Sequence, residues 1–195
     1  MSVRPRLPAR SVRRAAAAFR RGEAGVAAVE FALVLPVMVL MLLGLSEVTL
    51  AVNHDRKVTL ISRALADLSS RVGTLSSSDV SDIFGAASII MQPFNGSRLR
   101  MVVSQMKVTK VGSNFQGSVD WSCARGTGAV AKPAGTYTVP AGFQTDASYY
   151  ILVETTLPYT PMFGRTITGT ITLGDTTPWP IRNTPRVTLS GGCPA

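Results

Sequence analysis

Between Val26 and Leu45 every residue is apolar except Glu30, and seven arginines (Arg4, Arg6, Arg10, Arg13, Arg14, Arg20 and Arg21) precede the run. About twenty helical residues at 1.5 Å each span roughly 30 Å, the thickness of a bilayer's hydrocarbon core. A cleavable secretory signal has a shorter apolar stretch, closed by a small-residue cleavage site. Here Ser46, Glu47, Val48 and Thr49 simply carry the helix on. The run therefore predicts a transmembrane helix, assigned to residues 26–52. Pro36 lies inside it and removes the amide that would bond the Ala32 carbonyl, which predicts a kink that lipid-embedded helices tolerate. A membrane anchor has no need of the Glu30 carboxylate, which is costly in lipid and calls for a function.

The net charge of +9 would ordinarily point to nucleic acid. Its distribution does not. Residues 26–195 hold 13 basic and 10 acidic side chains, leaving only +3 outside the basic leader of residues 1–25. Arginines beside an apolar span set topology and keep the N-terminus in the cytoplasm. The chain beyond Val52 is then exported, as a domain of residues 53–195 in the periplasm or outside the cell. An oxidising compartment favours a Cys123–Cys193 disulfide, closing a loop of about 70 residues that would contribute about 4 kcal/mol in the chain-entropy model. Two separate buried thiols are the alternative. Neither C-x-x-C spacing nor a nearby histidine supports a metal.

Past the span, Val58, Ile61, Leu65, Leu68 and Val72 recur at alternating steps of 3 and 4, predicting an amphipathic continuation that stops at Gly73. "SSSDVSDIFGAASIIM" reads as a second helix, with Ser76 and Asp79 as a capping box and Val80, Ile83, Phe84, Ala87 and Ile90 on one face. From Arg98 the pattern turns to strand. "LRMVVSQMKV" and "FQGSVDWSCA" flank a Gly-Ser-Asn turn as a hairpin, and "SYYILVETTLP", "RTITGTITLG" and "PRVTLS" are further strands. Gly/Pro-rich loops are expected at 126–136 and 174–185. The fold class is α+β, a long N-terminal helix packed on an antiparallel sheet.

The Glu30 question is answered by what stands before it. "GVAAVEFALVLPVMVLMLLGLSEV" places Gly25 ahead of four mostly apolar residues, then Glu30, Phe31 and a long apolar run. This resembles the processing site of type IV pilin precursors. It is closest to the TadE-like branch of the tight-adherence (Tad, Flp) pilus proteins, strongly over residues 21–50 and more weakly at "LPYTPMFG" and Pro185–Arg186. The resemblance implies a pilin-like fold and cleavage between Gly25 and Val26 by a membrane prepilin peptidase. It also implies that the Glu30 carboxylate meets the new N-terminal amine of a neighbouring subunit. Glycine at the scissile position keeps a side chain out of the cleft, and arginines hold the leader at the anionic inner surface. Gly22 fits worse, because its fifth following residue is Ala27. A glutamate that merely snorkels to the interface is the plain alternative.

Other features carry less. His54 beside Asp55 is adjacent on a helix rather than facing, and reads as a solvated juxtamembrane histidine. Glu47 and Glu154 are isolated carboxylates, "GTGAVA" lacks the third glycine of a dinucleotide loop, and Trp121 and Trp179 read as core or interface aromatics. The expectation is a non-enzymatic minor pilin or pseudopilin of the inner membrane, acting in initiation, tip formation or stabilisation of an adhesive pilus. Its partners would be the prepilin peptidase, other pilins and the assembly platform, with no cofactor, nucleic acid or small-molecule substrate. The alternative is an uncleaved single-pass scaffold of the pilus or secretion machinery. Everything after residue 72 is too elaborate for a major pilin of this kind.

Overall fold

A computed structural model describes residues 23–163 and 169–194. The basic leader up to residue 22 lies outside these, as does the first part of the expected strand "RTITGTITLG". The first element is helix α1 (Glu23–Ser70), continuous through Pro36. Then come strand β1 (Thr74–Ser76), helix α2 (Ser77–Met91), β2 (Arg100–Val111), β3 (Asn114–Arg125), β4 (Thr136–Thr138), a 3-10 turn (Ala141–Phe143), β5 (Tyr149–Tyr159), β6 (Ile171–Pro180) and β7 (Thr188–Ser190). The chain divides into two compact units, one ending at Ser46 and one beginning at Glu47.

The first unit contains the apolar part of α1. Every residue from 25 to 42 is exposed, and α1 is long and apolar enough to cross a membrane. A helix satisfies all its backbone groups internally, so this segment needs no partner in its own chain to survive in lipid.

The second unit is an α+β, pilin-like domain. Five strands in the order β4-β3-β2-β5-β6 form an antiparallel sheet, and β1 and β7 pair in parallel as a small separate ribbon. Val58, Ile61, Leu65 and Ala66 of α1 share one core with Phe84, Ala87 and Met91 of α2 and with Val103, Cys123, Ile151 and Val153 of the sheet. The opposite face of the sheet holds a smaller core, in which Val139 packs with Met106, Val108, Tyr150 and Leu152. Burying each of the Val, Leu, Ile, Phe and Met side chains among them stabilises the fold by about 1.5–3 kcal/mol.

Two expectations need correction. The buried stripe of α1 continues through Ser62, Ala66 and Ser69, while Leu68 and Val72 are 38% and 41% exposed. Small residues let the helix approach the sheet closely, which the leucine-and-valine periodicity could not reveal. The expected loop at 174–185 is in its first half a strand: β6 pairs with β5 through Pro178 and Pro180, opposite Leu152 and Tyr150. Proline is tolerated there because β6 is an edge strand and its missing amides need no further partner. Strands β1 and β4 were not expected; each is only three residues long and too short to show periodicity. The capping box on α2 is present in full, with Ser76 Oγ accepting from the Asp79 amide and the Asp79 carboxylate accepting from the Ser76 amide. The β2–β3 hairpin turns at Gly112, whose φ of 64° suits glycine.

Candidate functional site

The motif from Gly25 to Phe31 lies wholly on α1, and all its residues are exposed. Val26 and Phe31 are 62% and 61% exposed, and Glu30 has no ion pair among the described residues. A helix places positions four apart one above the other, so Val26 and Glu30 share a face. A Cβ built on Gly25 would meet nothing within 4 Å. Glycine inside a helix costs about 0.5–1 kcal/mol relative to alanine, and no neighbour among the described residues requires it. The same holds for the apolar run. Leu33, Leu40, Met41 and Leu42 are each about 70% exposed, a surface that water does not tolerate and that lipid or other helices would cover.

Glu47, set aside as isolated, is the best-engaged carboxylate near the membrane segment. It accepts hydrogen bonds from the Tyr159 hydroxyl at 2.9 Å and from the amides of Met162 and Phe163 at 2.8 and 3.3 Å. Burial, together with the hydrogen bond to the Glu47 carboxylate and its negative charge, pushes the Tyr159 phenol up to about 12. His54 is not freely solvated. Half-buried, its ring lies 4.1 Å from that of Phe94 and 4.8 Å from that of Tyr159, and its Nδ1 is 2.8 Å from the Leu50 carbonyl oxygen. These partners lie as far as 116 residues along the chain, and no local pattern announces them. The one signal was "LPYTPMFG", the segment that Glu47 holds.

At the C-terminus, Cys193 is joined to the fully buried Cys123 of β3. Gly191 and Gly192, at φ 85° and 77°, turn the chain back to make the bond, a conformation that residues with a Cβ rarely adopt. The Pro185–Arg186 pair also has a structural use. The β2–β3 register shifts between Gln105 and Met106, leaving Asp120 as the extra residue of a bulge. Its carboxylate takes a two-pronged contact from Arg186, at 3.1 and 2.9 Å, and a hydrogen bond from the buried Gln105 amide. Gln105 in turn accepts from the Val187 amide. Lys132 pairs with Glu154 at 2.7 Å and sits over the Tyr137 ring, so Glu154 is not isolated either.

No curated protein and no solved structure matches the chain. A family model described as TadE-like protein matches residues 25–67. That stretch begins at the glycine before the motif and runs through the apolar segment into the helix face packed on the sheet, and over these residues the chain is similar to TadE-like proteins.

Proposed function

We propose that the protein is a minor pilin or pseudopilin of a Tad-type adhesive pilus, cut between Gly25 and Val26 by a prepilin peptidase. The observation that carries this reading is the uncovered motif. A glycine with no steric need for it, a carboxylate without an ion pair among the described residues and a full run of exposed apolar side chains form one continuous helix surface. Each is unfavourable in the chain alone and becomes useful when a peptidase and neighbouring pilins are present.

The mechanism follows from charge and spacing. Removing the leader creates an ammonium at Val26, one turn of helix from Glu30. In low dielectric an opposite charge on an adjacent subunit offsets the cost of burying Glu30 and fixes axial register between helices. The basic leader holds the precursor N-terminus at the cytoplasmic face of the inner membrane, and the domain from residue 53 onward is exported. Intact-mass measurement of the protein extracted from membranes tests this reading. A chain beginning at Val26 is expected, and Gly25→Leu should leave the precursor uncut. Full-length protein in cells making the peptidase would favour the uncleaved scaffold instead.

A further inference from the structure

Met162 and Phe163 are large apolar side chains left open, 75% and 56% exposed, in a segment that is otherwise tied down. Glu47 accepts hydrogen bonds from both their amides and from the Tyr159 hydroxyl, so their position follows that of Glu47. Glu47 stands two residues beyond Leu45, where the apolar run ends, which is about 3 Å of helical rise. If the run fills the hydrocarbon, Glu47 lies at its outer edge. We propose that the Tyr159–Phe163 segment is an interfacial anchor: Met162 and Phe163 enter the outer leaflet of the bilayer that α1 crosses, and the Glu47 clamp sets their depth.

The chemistry fits a lipid surface. At the hydrocarbon edge an open carboxylate would repel anionic headgroups and resist dehydration, but three donors from the same loop satisfy this one. Arg98 is exposed beside the loop and gives one hydrogen bond to the Thr160 hydroxyl, leaving guanidinium donors for lipid phosphate. Apolar tips, an aromatic base and a flanking arginine are the composition of interfacial anchors. The clamp also spares the loop much of the ordering cost of insertion, because its backbone is already fixed. The proposal rests on α1 crossing a membrane and is independent of cleavage or filament entry.

Both native cysteines are bonded to each other, so a single added cysteine is the only thiol to label. The full-length chain carrying Met162→Cys, Val130→Cys or Leu40→Cys would be nitroxide-labelled. Each would be reconstituted at low density in vesicles of phosphatidylethanolamine and phosphatidylglycerol. Collision with oxygen and with a water-soluble nickel chelate reads depth. Val130 is 77% exposed and serves as the aqueous reference; Leu40 is the hydrocarbon reference. The Met162 label should show nickel access several-fold below Val130 and oxygen access between the two references. Adding Glu47→Ala, or Phe163→Asp in case the former fails to fold, should return it toward Val130. A Met162 label as nickel-accessible as Val130, with Leu40 protected, would overturn the anchor while leaving the membrane helix standing. Protection that disappears on dilution into more lipid would assign the surface to a second copy of the chain and overturn it too. An unprotected Leu40 label would overturn the membrane reading itself.

Discussion

Glu30 and Glu47 are two glutamates of one helix with opposite circumstances. Glu47 has three donors supplied by its own chain, whereas Glu30 has no ion pair among the described residues. If Glu30 is held for a neighbouring subunit's amine, Glu30→Ala should leave membrane abundance unchanged or improved, since alanine is a better helix former, and abolish piliation. Glu30→Gln should be nearly as defective, because it keeps size and hydrogen bonding without charge. Pilus counts and surface adhesion, with membrane levels checked by blot, decide it; full piliation at normal levels would make the carboxylate a bystander. At Glu47 the check is spectroscopic. Burial, the hydrogen bond and the Glu47 charge raise the Tyr159 phenol to about 12, so Tyr159 favours the folded state at pH values below about 10 and loses this contribution as pH climbs toward 12. In Glu47→Ala the phenolate absorbance of Tyr159 should appear at lower pH, still above the ordinary value because burial remains. An unchanged titration, referred to a Tyr159→Phe control, would mean that Glu47 does not hold the loop in solution.

Among the elements, α2 shows how local chemistry fixes a boundary. Ser76 and Asp79 satisfy each other's amides at its first turn, and the hydrogen bonds that the Ser76 hydroxyl and the Ser76 amide donate to the Asp79 carboxylate hold that carboxyl below its ordinary value of 3.8. A depressed carboxyl contributes stability above the unfolded value and loses it as pH falls through the folded one, so the box should weaken below about pH 4. Ser76→Ala should cost about 1 kcal/mol, read as a lower thermal midpoint in detergent; a change indistinguishable from zero would show that the cap is redundant with the β1–β7 pairing beside it. The bulge at Asp120 works at the same scale. One inserted residue turns a carboxylate toward Arg186, and the arginine fastens the chain that leads to β7 and the disulfide.

For the molecule as a whole, the Cys123–Cys193 bond closes a loop spanning 70 positions, including β4, β5, β6 and β7. Replacing both cysteines with serine should lower unfolding free energy by about 2–5 kcal/mol, measured by denaturant titration of the detergent-solubilised protein. Peptide mapping without reductant should recover the linked fragments from native membranes. Free alkylation of both thiols in fresh protein would contradict the pairing. If the domain is exported, as proposed above, an oxidising compartment would keep this bond formed, whereas a cytoplasmic domain would be kept reduced.

Patterns with short range were legible in the residues themselves. The apolar run, the Gly25–Glu30 spacing, the capping box and the β2–β3 hairpin each depend on neighbours a few positions apart, and hydrophobic periodicity or turn chemistry reports them directly. Contacts of long range were not. Glu47 reached the loop at Tyr159–Phe163, Ser62, Ala66 and Ser69 replaced Leu68 and Val72 on the buried face, and a proline-bearing stretch became the edge strand β6. In each case the deciding partner lies far along the chain, and a carboxylate, a small side chain or a proline has no preference strong enough to declare that partner in advance. The sequence by itself determined a helix long and apolar enough to cross a membrane and the local caps and turns; only the tertiary structure decided which polar groups are satisfied and which side chains remain open, because burial and hydrogen-bond completion are properties of the packed whole.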